Sequence, residues 1–177
     1  MQNMTWTPPE LLNMSGSYWS TCALHAGVKL ELFTALSEAP TTMPELAKRL
    51  SLNERGLAML LDALAALELL SKQGASYQST PFATQFLSTN SSAYLGHIIL
   101  HHHHLVEGWA RLDEAVSTGA PCRARVSHES DQAERESFLL GMFNLAMLLA
   151  PQVVKQIDLS QRKQLLDLGG GPGTYAI

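Results

Sequence analysis

A chain of 177 residues with 46% hydrophobic content has ample material for a core, and with only 16% charged residues it should cover some apolar surface with a second chain. The net charge of −4 gives no electrostatic reason to expect nucleic acid or an anionic membrane as a partner. Cys22 and Cys122 are too few for a disulfide scaffold, the start lacks the basic and apolar segments of a secretory signal, and the apolar run over residues 139–150 is too short for a membrane span and contains Asn144, so a cytoplasmic protein is expected.

Residues 1–10, with Pro8 and Pro9, read as a loose leader. Residues 11–36 are helical in pattern, with Leu24, Val28 and Leu32 on one stripe and Ala26, Lys29 and Phe33 on its flank. Thr42-Met43-Pro44-Glu45 fits a capping box, in which the Thr42 hydroxyl serves the Glu45 amide while the Glu45 carboxylate reaches back. A short helix follows to about Leu50. Asn53 then caps a longer helix whose Leu57, Leu60, Leu61, Leu64 and Leu67 face one way. Residues 69–79, turning near Gly74, read as a small hairpin.

Helix, turn, helix and hairpin make a winged-helix arrangement. Such a unit can place its second helix in a DNA major groove. Here that helix opens with Asn53-Glu54-Arg55-Gly56 and continues in Leu and Ala with Asp62 and Glu68, so a single Arg offers almost no phosphate contact.

A helix over about 92–117 repeats Leu95, Ile98, His102, Leu105, Trp109, Leu112 and Val116 at helical spacing as its expected buried face, and Gly119-Ala120-Pro121 ends it. His97, His101 and His104 share one side of that helix, a geometry able to chelate a metal. No Asp, Glu or Cys at helical spacing completes the set. The plainer reading is a polar face with one histidine turned toward the core, and no metal site is assigned. Residues 123–130 form a polar connector. Ser130 or Asp131 opens a last helix with Phe138, Met142, Leu145, Leu149 and Val153 along one stripe, which Pro151 should kink or restart. From spacing alone, Phe138 and Met142 are core.

The stretch Leu165-Leu166-Asp167-Leu168-Gly169-Gly170-Gly171-Pro172-Gly173-Thr174-Tyr175-Ala176-Ile177 reads as a short buried strand, a glycine-rich turn and the start of a helix that Thr174 could cap. Gly169, Gly171 and Gly173 strip side chains from the turn so that a ligand can approach the backbone N–H groups. Gly171-Pro172-Gly173-Thr174-Tyr175-Ala176 formally fits the nicotinamide fingerprint Gly-x-Gly-x-x-Ala, although that fingerprint normally opens a fold instead of following a long helical region. Asp-x-Gly-x-Gly-x-Gly after an apolar strand resembles the first motif of class I S-adenosylmethionine-dependent methyltransferases.

The chain before it resembles the N-terminal half of the acetylserotonin/caffeate-type O-methyltransferases. Ala26-Gly27, Leu30, Leu32-Phe33, Leu36, Pro44-Glu45-Leu46-Ala47, Leu60-Leu61, Leu64, Leu67, Tyr77, Thr80 and Phe86-Leu87 look like their dimerisation domain. Trp109 with Leu112 and Gly119 is similar to the family's Trp-x-x-Leu and terminal glycine, and Phe138 with Met142 matches its Phe-x-x-x-Met.

The resemblance implies a mainly α fold: a winged-helix dimerisation domain over 1–88, a helical connector over 89–160, and over 161–177 the start of a Rossmann-like S-adenosylmethionine-binding domain that is cut off. It implies a homodimer that moves a methyl group from S-adenosylmethionine to a hydroxyl of a small aromatic acceptor. Asp167 would neighbour the ammonium of the donor, and the backbone of Gly169, Gly170, Gly171 and Gly173 would pack near its ribose and methionine portion. Phe138 and Met142, with Trp109, would line the substrate pocket. The family's catalytic histidine has no match in His97, in residues 101–104 or in His128, so the general base is expected beyond residue 177 and this chain alone is expected to be inactive. A dimerisation module without catalysis is the alternative from a different class.

Overall fold

In the computed structural model, which describes residues 6–123 and 131–176, the chain is mainly helical and divides into two units, Met1–Ser91 and Ser92–Ile177. The first unit opens with helix α1 (Pro8–Gly16), which starts inside the stretch read from sequence as a loose leader. Its start is built by Glu10, whose carboxylate accepts from the Thr7 N–H at 2.8 Å and the Thr7 hydroxyl at 2.6 Å. Pro8 at the first turn loses nothing, because an N–H there would have no helical partner.

The single helix expected over 11–36 is three: α1, α2 (Tyr18–Lys29) and α3 (Leu32–Ala35). Glu31 adopts φ 54°, a left-handed turn that ends α2 and sends Leu32 and Phe33 into the core. Helix α4 (Met43–Leu50) begins on the capping box read from Thr42 and Glu45, with the Glu45 carboxylate accepting from the Thr42 N–H at 3.1 Å and its hydroxyl at 2.6 Å. Helix α5 (Glu54–Ala66) begins where the Asn53 side chain accepts from the Gly56 N–H at 3.0 Å. It buries Leu57, Leu61 and Leu64, while Leu67 ends exposed.

Three short antiparallel strands complete this unit: β1 (Thr41–Thr42), β2 (Leu70–Gln73) and β3 (Ser76–Ser79), in the order β1-β3-β2. Gly74, at φ 60°, makes the hairpin turn, and Lys72 stands opposite Tyr77. The Lys72 ammonium and the Tyr77 hydroxyl both reach the Asp62 carboxylate, at 2.6 and 2.7 Å, and tie the hairpin to α5. Those bonds, Lys72's first, hold the Asp62 carboxyl below its ordinary range, and Lys72 is pushed up to about 12.

Helix α6 (Pro81–Leu87) is capped by Thr80, and the Ser79 hydroxyl donates to the Phe33 carbonyl at 2.9 Å. Leu32, Phe33, Leu36, Leu46, Leu61 and Leu64 form the fully shielded centre. Gly27 is required there: a Cβ would stand 2.9 Å from the Phe33 ring and 3.0 Å from a Leu64 methyl. Leu12, Met14, Tyr18 and Trp19 of α1 and α2 are exposed.

The second unit is built on α7 (Gly96–Ala110), α8 (Leu112–Thr118) and α9 (Gln132–Val154). Helices α7 and α9 run antiparallel and meet in four successive rungs. The Asn144 amide donates to the Tyr94 carbonyl at 2.8 Å just before α7. Gly141 lies against Ile98, where a Cβ would stand 3.1 Å from the Ile98 Cα, tighter than an ordinary contact. The rings of His101 and Phe138 pack with centroids 5.2 Å apart, and His104 Nδ1 lies 3.1 Å from the Ser137 hydroxyl.

The buried positions of α9 are Ser137, Gly141, Ala146 and Ala150, of which Ser137 and Gly141 meet α7, and the larger stripe through Leu145, Leu149 and Val153 that spacing suggested is exposed. The single helix expected over 92–117 is interrupted at Arg111 (φ −109°), whose guanidinium pairs with Glu114 at 2.7 Å. The break resets the helical phase for Leu112 and Val116, and these two, with His102 and Trp109 before the break, were expected to be buried and are exposed.

Asp131 caps α9 through the Ala133 N–H at 2.8 Å, and the helix runs past Pro151 to Val154. Most of the polar connector, residues 124–130 with His128, lies outside the described residues. By length and composition α9 is the one helix among the described residues apolar enough to cross a membrane, with mean hydropathy 1.7, which corrects the shorter run counted from sequence. The short buried strand expected before the glycines does not form. Residues 164–167 are without regular structure, and Leu166 and Leu168 are 83% and 89% exposed. A lone parallel strand has no neighbour to satisfy its backbone groups.

Candidate functional site

Phe138, Leu139, Met142, Leu145, Ala146 and Leu149 of α9, with Gly169, Gly170, Gly171, Pro172, Thr174 and Tyr175, enclose a cleft of about 500 Å³. The turn is shaped by backbone demands. Gly169, Gly171 and Gly173 adopt φ of 73°, 57° and 72°, and nothing lies within 4 Å of where a Cβ would sit, so conformation and not crowding requires glycine. Two successive turns follow, with Gly173 N–H donating to Gly170 C=O and Ala176 N–H to Gly173 C=O, both at 2.9 Å.

Asp167 folds its carboxylate over the backbone of Gly170, where any Cβ would collide with it. Of the five residues expected to meet the cofactor, Gly169, Gly170 and Gly171 line the cleft beside Phe138 and Met142. Asp167 sits against Gly170 outside the lining set, and Gly173 closes the turn.

Trp109 is not brought to this cleft. It is 68% exposed and lines a separate groove of about 210 Å³ with Leu105, Leu112 and Pro121. The reason is positional: it lies more than a turn beyond the last α7–α9 rung at His104, where α9 has reached its own N-terminal end. This corrects the grouping of Trp109 with Phe138 and Met142.

Sequence reasoning missed Leu149 and Tyr175 as cleft residues. Thr174, considered only as a helix cap, is 9% exposed with a hydroxyl that finds no partner among the described residues. No helix forms behind it; residues 174–176 are turns. The lining is otherwise apolar, and Tyr175 is its only ionisable side chain among the described residues.

The three histidines that share one side of α7, His97, His101 and His104, go to packing. His101 is 8% exposed, and its Nδ1 has no partner among the described residues. Burial first, then Arg123, His102 and His104, pull its titration down, against an opposing pull from Glu134. His97 is half-buried beside the Tyr94 ring at 5.1 Å, and burial lowers it too, against Glu136. Among the described residues no three His, Cys, Asp or Glu side chains converge on a possible metal position.

With this geometry in place, the likenesses to known proteins fall on the same parts. Residues 12–89 match the O-methyltransferase dimerisation domain. The chain is 33% identical over 175 residues to 3-hydroxy-5-methyl-1-naphthoate 3-O-methyltransferase of Streptomyces sahachiroi, covering 96% of this chain and 51% of that protein. It is 32% identical over 178 residues to the N,N-dimethyltransferase OxyT of Streptomyces rimosus, covering 94% of this chain and 51% of the relative.

Among solved structures, an O-methyltransferase family protein from Burkholderia thailandensis superposes with a TM-score of 0.82 at 31% identity, over 97% of this chain and 52% of its own. Human N-acetylserotonin methyltransferase, solved in complex with S-adenosylmethionine, shares the fold with a TM-score of 0.80 at 23% identity, over 99% of this chain and 56% of its own. The chain thus spans about half the length of these relatives. It carries an O-methyltransferase dimerisation domain and is a homologue of the class I S-adenosylmethionine-dependent O-methyltransferases.

Proposed function

We propose that the chain supplies the dimer-forming domain and one wall of the donor and acceptor site of an S-adenosylmethionine-dependent methyltransferase acting on a hydroxyl of a small aromatic molecule. The observation that carries this reading is the cleft in which the side-chain-free turn of Gly169, Gly170 and Gly171 faces Phe138 and Met142. The residues fit the donor. The turn leaves backbone bare for close approach, and the Asp167 carboxylate beside Gly170 offers negative charge to an ammonium. The Met142 thioether and the Phe138 ring give a polarizable, apolar surface suited to a sulfonium and an aromatic ring.

When bound, S-adenosylmethionine supplies a methyl group activated by its sulfonium. This chain's own residues bind, orient and exclude water: Phe138 and Met142 hold the acceptor ring in line, where proximity supplies much of the acceleration. No side chain of the described lining is suited to take the acceptor's proton at neutral pH, so a base from outside this lining completes the site.

The first unit we read as a winged-helix dimerisation domain. Its helix–turn–helix and hairpin support that reading, and the exposed Leu12, Met14, Tyr18 and Trp19 give a second copy an apolar surface to cover. An amine acceptor is the second reading, favoured by the likeness to the N,N-dimethyltransferase.

Calorimetric titration of this polypeptide with S-adenosylhomocysteine tests the proposal. Saturable binding that is lost in Gly171→Val and Met142→Ala supports it. Binding that survives both substitutions places the donor elsewhere, and no binding at all favours a dimerisation module without catalysis.

A further inference from the structure

Phe138 is held from behind. One face of its ring looks toward the cleft with Met142 and the glycine turn, and the ring packs at 5.2 Å centroid distance, tilted by 58°, on the imidazole of His101. His101 is buried in the seam between α7 and α9, one turn from the Ile98–Gly141 contact. Its Nδ1 is shielded and has no hydrogen-bond partner among the described residues. A neutral imidazole tolerates this position, because its bare nitrogen need only go without a donor. An imidazolium does not: it would place an unsatisfied N–H and a charge in a position shielded from water.

The groups around it reinforce the asymmetry. Arg123 and, on its own helix, His102 and His104 oppose a positive charge, and Glu134 of α9 alone favours one. Glu134 is itself engaged by the Arg123 guanidinium, so its help is largely spent.

We propose that His101 is a positioning residue for this cleft: its neutral ring backs Phe138, and taking up a proton withdraws that support and loosens the wall that holds the ligand. The inference rests on the reading of the cleft as the donor and acceptor site. His101 touches neither ligand and acts through Phe138 alone. A cleft so built is still closed and competent at the ordinary imidazole value of 6.5 and slackens as the pH falls through the lowered value of His101.

The test uses the intact chain labelled with ¹³C-methyl methionine, with the Met142 resonance assigned by Met142→Leu. From about pH 8 to about pH 5, the window in which histidine switches, the Met142 methyl should move with the same midpoint as the His101 ring protons. In His101→Phe, which keeps a ring behind Phe138 but cannot titrate, that movement should vanish and binding of S-adenosylhomocysteine should be flat with pH. In His101→Ala binding should weaken at every pH by roughly threefold to tenfold, the worth of one aromatic pair.

A Met142 methyl indifferent to the His101 titration overturns the proposal, as does the same acid response in His101→Phe. Ligand binding that ignores pH while Met142 follows His101 also overturns it. If Met142 follows His101 but S-adenosylhomocysteine binds at no pH, the coupling between the two rings stands and the methyl-donor reading of the cleft fails.

Discussion

At Gly27 and Gly171 the same residue type is required for opposite reasons. Gly27 is demanded by packing, since a Cβ there meets the Phe33 ring at 2.9 Å and Leu64 at 3.0 Å in a fully buried core. Gly27→Ala should therefore destabilise the first unit by about 1–3 kcal/mol, the usual cost of overpacking, read as a lower midpoint in urea with unchanged slope. Gly171 is demanded by conformation alone, with φ 57° and open space around it. Gly171→Ala should cost roughly 1 kcal/mol locally by forcing a left-handed alanine, leave the first unit's unfolding unchanged, and weaken S-adenosylhomocysteine binding. A Gly171→Ala protein that binds as tightly as the parent would show that the turn does not contact the ligand.

At the same scale, what could be read from sequence divides by chemistry. Asn53 and Thr42 were legible because caps act through residues three positions apart, and the structure has both. Trp109 was misplaced because α7 runs more than a turn past its last contact with α9 at His104, an offset that local spacing does not carry. Thr174 gave no signal for burial, since its surroundings come from a helix more than twenty residues earlier in the chain.

Elements here are set by their ends more than by their faces. Two helices begin on the same device, a threonine with a glutamate three residues on, and the second was readable while the first was masked by its neighbouring prolines. In both, the bonds from threonine, its side chain first, hold the glutamate carboxyl below its ordinary value of 4.5. The sign follows directly. These carboxylates bind a proton later in the folded chain than in the unfolded one, so their contribution is complete above the ordinary value and is lost as the pH falls through the lowered one. Thr7→Val and Thr42→Val should raise both carboxyl titrations toward ordinary values in carbon-detected NMR, and unchanged titrations would contradict the capping role. Asn53→Ala should cost about 1 kcal/mol through the start of α5, with Asn53→Asp recovering most of it.

The α7–α9 seam carries a related lesson. Apolar spacing pointed to the large residues of α9 as core, but where α7 approaches it the helix presents the small Ser137 and Gly141, while Met142 and Leu145 face the cleft. A hydrophobic stripe marks a face that will be covered. It does not say by what. Gly141→Val should force α7 and α9 apart against the Ile98 backbone and lower the stability of the second unit, with Gly141→Ala milder in the same direction.

For the molecule as a whole, the class of fold and the family were legible because they depend on many weak positions together, and the mainly helical structure and the match over residues 12–89 agree with them. The strand before the glycines was misread because strands are properties of sheets. Leu165, Leu166 and Leu168 have the right composition but no neighbouring strand among the described residues. The exposed Leu12, Tyr18 and Trp19 belong to the same scale, because their partner is read here as a second copy of the chain. Sedimentation equilibrium should show a dimer that Leu12→Asp with Trp19→Asp converts to monomer, and a parent protein monomeric at every concentration would contradict the dimer reading.

If the bare-backbone turn faces a methyl donor and not a dinucleotide, a ¹⁵N-edited titration of the chain will show it in the amides of Gly169, Gly170 and Gly171, followed first with S-adenosylhomocysteine and then with NAD. These amides should shift and saturate with the sulfur compound and stay in place with NAD. Saturable shifts with NAD, and none with S-adenosylhomocysteine, would contradict the methyl-donor reading.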